Sequence, residues 1–211
     1  SVTKWAGVNL VTVTTTQGYT GGLGASGSAV AVDGNITTLK IGGKQSGVFL
    51  SVNTGQTIGT LSLETGSASF SGLGTITDAY VSGGANLNAT LTTLTNLYVI
   101  TPDSSAIIGT SATDTTTLYA MGRVESTSRN ITNITVGPQG RVVTKGTTAT
   151  STIVIEPTGV FNKQSGSTDA LATIKFGGTY SNEGNTYGSP APTLGSAKIW
   201  SNGKIIPNGS G

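Results

Sequence analysis

One short pattern recurs nine times along the chain, and few folds can accommodate it. In "ITNITVGPQG", residues 131–140, an apolar residue precedes two polar ones, then apolar, polar, apolar and a glycine turn. Taking the second apolar residue as an anchor gives Leu39, Leu61, Ala79, Leu97, Leu118, Ile134, Ile153, Ile174 and Ala197. Successive anchors are 22, 18, 18, 21, 16, 19, 21 and 23 residues apart, a mean near 20. Self-similarity at such a period marks stacked repeats, because one unit cannot bury its apolar face alone.

The columns of the alignment set the local structure. Two residues after the anchor all nine positions are apolar, from Ile41 and Leu63 to Phe176 and Ile199, with Ala120 the smallest. One residue before it all nine are polar, among them Thr38, Asp78, Asn96 and Asn133. That alternation is a strand with one face buried. Three residues before the anchor, seven of nine are apolar: Ile36, Ile58, Ile76, Leu94, Ile131, Leu171 and Leu194. A straight strand cannot turn i and i+3 to one face, so a bend is expected just ahead of the anchor strand. A breaker follows each strand, such as Gly42, Gly83, Pro102, Gly137 or Pro157. A second short apolar run then appears, as in "VFL" at 48–50, "AII" at 106–108, "VV" at 142–143, "VF" at 160–161 and "II" at 205–206.

The sequence therefore predicts an all-β fold: a single-stranded parallel β-helix (solenoid) of about nine coils with a period near 20 residues. At the usual strand spacing the rod would be roughly 40 Å long. Leucine-rich repeats share the L-x-x-L-x-L opening but want Asn five residues past the anchor, and only Asn202 supplies it. Residues 85–101 could form an amphipathic helix through Leu87, Leu91 and Leu94. Their Thr and Asn content makes a helix costly, and the column register passes through them unbroken. Residues 1–34 fit the columns poorly and read as an N-terminal cap or anchor, with 35–211 the solenoid, its last coil and a tail. Residues 184–193 read as a long loop, and Trp5 and Trp200 as end-capping rings.

Composition narrows the chemistry. Charged residues make up only 9% of the chain, Gly numbers 32 and net charge is +2. Abundant Ile, Val and Thr favour pleated structure over disorder. There is no Cys and no His, which removes disulfides, thiolate metal sites and the usual neutral-pH acid–base group. No cofactor or metal is expected. No apolar run is long enough to span a membrane. Lys and Arg are scattered without a basic run, so neither nucleic acid nor membrane is an expected partner. Ser1 fits either loss of an initiator Met or removal of a leader.

A polysaccharide-cleaving solenoid would need two carboxylates in matching columns of adjacent coils. Glu64 and Glu156 share a column but lie five coils apart. Glu125, counted from its anchor, falls level with Arg141 of the next coil, which predicts a surface ion pair. No catalytic residues are therefore expected, and the chain is read as a non-enzyme.

One outward column stands apart. The residue after each anchor runs Lys40, Ser62, Tyr80, Tyr98, Tyr119, Thr135, Val154, Lys175 and Lys198. Three tyrosines in successive coils would make an exposed aromatic ladder continued by Val154, with Lys40, Lys175 and Lys198 as a charged rim. Such a ladder could stiffen the rod, bury itself in a subunit interface, or offer a platform to sugar rings.

At "TLTNLYV", "NITNITVGPQG" and "ATIKFGGTYSNEG" the chain resembles two kinds of β-solenoid. One is the passenger domain of bacterial autotransporter adhesins; the other is the β-helical structural protein of tailed-phage virions, including decoration proteins, fibres and spikes. The resemblance covers roughly residues 36–206 and is one of repeat style, so it carries no functional residues over. It implies a viral structural protein, most plainly a bacteriophage capsid decoration (cement) protein or short spike. That protein would be a homotrimer located in the virion and contacting the major capsid protein. The alternative it implies is a glycan- or cell-surface-binding adhesin outside the cell or on a bacterial surface; a polysaccharide-degrading spike comes third.

Overall fold

Strands in the computed structural model alternate between two parallel sheets, as two short apolar runs per period require. The structure describes residues 4–5, 10–15, 29–43, 47–109, 115–127, 129–145, 152–164, 173–181, 197–199 and 204–206. The N-terminal third contributes β1 (Lys4–Trp5), β2 (Leu10–Thr15), β3 (Val30–Val32), β4 (Ile36–Gly43), β5 (Val48–Val52), β6 (Thr57–Leu63) and β7 (Ser67–Gly72). The middle contributes β8 (Thr75–Val81), β9 (Asn86–Ala89), β10 (Thr93–Val99), β11 (Ser105–Ile108), β12 (Thr115–Ala120), β13 (Arg123–Thr127) and β14 (Ile131–Val136). The remainder is β15 (Arg141–Lys145), β16 (Thr152–Ile155), β17 (Val160–Lys163), β18 (Thr173–Phe176), β19 (Thr179–Ser181), β20 (Ala197–Ile199) and β21 (Lys204–Ile206). Odd-numbered strands form one sheet of eleven in sequence order, even-numbered strands another of ten, and every pairing is parallel. No helix occurs among the described residues.

The register is the one the columns predict. Leu39, Leu61, Ala79, Leu97, Leu118, Ile134, Ile153, Ile174 and Ala197 stack as successive ladder partners. The coil count differs slightly from nine, because β1 and β2 also join the sheets, pairing with β3 and β4. From Leu39 to Ile153 the anchors and the residues two beyond them point inward: Leu61, Leu63, Leu97 and Val99 are fully buried.

The expected bend is present. In β6, β8 and β10 the inward positions follow the i, i+3, i+5 order, as in Ile58, Leu61 and Leu63. Pairing runs Ile36–Ile58–Ile76–Leu94 and resumes at Thr38–Thr60–Asp78–Asn96, so the strand rotates over the residue between. Thr115 replaces the apolar residue in one coil; it is buried, and its Oγ1 donates to Leu94 O at 2.8 Å. Leu171 and Leu194 lie outside the described residues.

The second sheet closes the core with Leu50 and Val52, Ala68 and Phe70, Leu87 and Ala89, and Ala106 and Ile108. At the corner leading into it, Gly122, Gly140, Gly159 and Gly178 precede strand residues that pair in register. A Cβ on Gly140 would collide with Ala120 O of the coil below. Its absence lets the backbone ladder continue round the corner, with Arg141 N–H donating to Gly122 O at 3.0 Å and Val160 N–H to Gly140 O at 2.9 Å.

Further along, the interior accepts polar groups. Arg129 is fully buried; its Nε donates to Gly109 O at 3.1 Å and its Nη2 to Leu91 O. One side chain thus ties its own coil to the two preceding ones. Burial lowers the guanidinium pKa to about 10, since a charge withdrawn from water favours its neutral form.

Candidate functional site

Alternation in β8, β10 and β12 turns Tyr80, Tyr98 and Tyr119 outward, and the parallel register sets them level. The column continues as expected through Thr135 and Val154, then through the register positions of Lys175 and Lys198. The side chains of Lys175, Lys198 and Trp5 lie outside the described residues, as do Trp200 and residues 184–193. Trp5 itself sits on β1, level with Val32.

The rings of Tyr80 and Tyr98 are stacked, with centroids 4.8 Å apart and planes 12° from parallel. That separation is the strand spacing itself, so each ring lays one face on its neighbour. Burial raises the Tyr98 pKa, helped by the neighbouring Tyr80 and Asp78. Asp78 is held by Asn96 Nδ2 at 2.8 Å, which places a polar margin two residues along from the rings.

Tyr119 behaves differently from its neighbours. A Cβ on Gly137 would lie 2.9 Å from Tyr119 Oη and 3.1 Å from Met121 Cγ, so the ring leans over the bare backbone of the next coil. On the same side of the column as Gly137, Ile100 is 42% exposed. It stands two residues beyond Tyr98, and Met121 is in the equivalent position beyond Tyr119. Tyr98, Ile100, Tyr119 and Met121 therefore make one apolar surface across two coils. The alternation that identified the tyrosines extends to Ile100 and Met121, but the breaker Pro102 and the turn at Gly122 hide it in the sequence.

Lys40 occupies its expected place two coils from Tyr80 and forms an ion pair with Glu64 at 2.7 Å. The expected pairing of Glu125 with Arg141 is not found. Arg141 is level with Arg123, and Glu125 is level with Val143. Residues 121–122 alone link β12 to β13, whereas residues 137–140 link β14 to β15, so counting from the anchor slips by the difference. Glu125 instead accepts from Lys145 Nζ at 2.7 Å and lies 3.6 Å from Arg123 Nη2.

Of the acids, Asp114, Asp169 and Glu183 lie outside the described residues. Among the described residues no three acids gather where they could hold a metal ion. The chain matches no family model, no curated protein and no solved structure. Fold and site together define a two-sheet parallel β-solenoid carrying an outward aromatic column on one sheet.

Proposed function

We propose that the protein is a non-enzymatic structural rod of a virion, a capsid decoration protein or short spike, that assembles as a homotrimer through its tyrosine face. The stacking of Tyr80 on Tyr98 carries this reading. A platform for a row of sugars must show successive ring faces, whereas Tyr80 and Tyr98 cover the two faces that meet between them. Tyrosine rings beside Ile100 and Met121, bordered by the Asp78–Asn96 pair, suit a protein interface with an apolar centre and a polar rim. The interior supports the same role. Among the described residues, successive coils are joined by backbone hydrogen bonds and by register-matched aliphatic residues, which gives the rod stiffness.

Sedimentation of the purified chain tests the assembly. Wild type is expected to run as a trimer at micromolar concentration, and Ile100→Ser combined with Met121→Ser as a folded monomer with unchanged circular dichroism. A monomeric wild type, or a double variant that still assembles, overturns the interface. Proteomics of purified particles from the source tests the location, and absence of the chain from them overturns it.

A further inference from the structure

The tyrosine ladder has one uncovered end. Tyr98 covers one face of Tyr80; the other face looks toward the coil of β6, where the register partner is Ser62. Ser62 is too short to reach that face, and Tyr80 is 37% exposed. One coil further, Lys40 follows Ser62 in the column. Glu64, just past the end of the strand that carries Ser62, leans away toward Lys40: its Oε1 meets Lys40 Nζ at 2.7 Å, and its Oε2 is 3.5 Å from where a Gly42 Cβ would stand. In this column the level of Ser62 carries only a short hydroxyl side chain, with an aromatic face on one side and an ion-paired lysine on the other. The two sides are two strand spacings apart, roughly 9–10 Å.

The geometry points to a binding notch for a single uncharged pyranose, with its C–H face on Tyr80 and its hydroxyls on the Lys40–Glu64 pair. A gap of two spacings admits one ring of sugar thickness with carbon contacts at about 3.5–4 Å on the aromatic side. The opposite wall supplies matched donors and acceptors, since Lys40 Nζ donates and Glu64 Oε accepts, and Ser62 Oγ can do either. A flat apolar ring would instead strip water from the ion pair and return nothing to it. Because the pair neutralises itself, an anionic sugar gains no advantage over a neutral one. The notch lies on the side of Tyr80 away from Tyr98, so it stands apart from the assembly surface centred on Tyr98, Ile100, Tyr119 and Met121.

Saturation-transfer NMR with the methyl glycosides of glucose, galactose, mannose and N-acetylglucosamine tests the notch. At least one probe is expected to receive saturation on its axial C–H face from wild type and from Tyr119→Ala. The signal is expected to vanish in Tyr80→Ala and in Ser62→Tyr; the latter extends the ladder by one ring and fills the notch while keeping the fold. Loss in Ser62→Tyr with an unchanged melting temperature supports the site even if Tyr80→Ala is poorly folded. No transfer to any of the four probes in wild type, or transfer that persists in Ser62→Tyr, overturns it. Sedimentation of Ser62→Tyr separates this outcome from the assembly reading, because the variant is expected to assemble as wild type does.

Discussion

Exchanging two side chains between neighbouring coils provides a direct measurement of the register. Leu97 and Ala79 are ladder partners, both fully buried, in the order Leu61, Ala79, Leu97, Leu118. Leu97→Ala places two alanines one above the other, and neither can collapse into the hole. Its cost should fall in the upper part of the range for buried leucines, about 4 kcal/mol. Ala79→Leu forces extra methyl groups between Leu61 and Leu97 and should cost about 2 kcal/mol. If the sites were independent, the double variant would lose about 6 kcal/mol. As vertical neighbours they exchange volume, because the leucine added at position 79 occupies the space vacated at position 97. The double variant should then lose about 3 kcal/mol or less, a coupling of about 3 kcal/mol. Urea unfolding followed by circular dichroism, with all four members of the cycle, measures this. Additivity to within about 0.5 kcal/mol would refute the stacking of these two positions.

Two further effects follow from local geometry. Thr158 is a β-branched residue at φ 69°, and its Oγ1 accepts from Gln139 N–H of the coil below at 3.1 Å. Thr158→Asn relieves a strain of about 1–2 kcal/mol while keeping an acceptor; thermal melting should rise, and a fall would show that the threonine is unstrained. Tyr98 keeps its proton to higher pH in the folded state than in the unfolded one, because burial, Tyr80 and Asp78 all raise its pKa. The associated stability is present below the ordinary tyrosine range and is lost as pH rises through the folded value. In an alkaline absorbance titration Tyr98→Phe should delete a phenolate that appears above the ordinary tyrosine range, and deletion of one that appears within that range would contradict the assigned environment.

Much of the architecture was legible because it depends on two fixed lengths. Alternation of side chains along a strand placed Leu61, Leu63 and Tyr80, and the common period placed Ala79 under Leu97. The strands β7, β9 and β13 were harder to read, since their inward pairs are Ala68 and Phe70, Leu87 and Ala89, and Val124 and Ser126, which do not form apolar runs. The tyrosine column was readable as a register, but not as a set of ring contacts.

By itself, then, the sequence determined the parallel stacking, the inward and outward columns and the levels of Tyr80, Tyr98 and Tyr119. These follow from backbone periodicity, which neighbours cannot alter. Only the tertiary structure decided that Tyr119 leans over Gly137, that Arg129 turns inward to Leu91 O and Gly109 O, and that Glu125 meets Lys145 rather than Arg141. Each of these depends on corner length or on the space left by a residue in another coil, and neither is encoded in the local pattern.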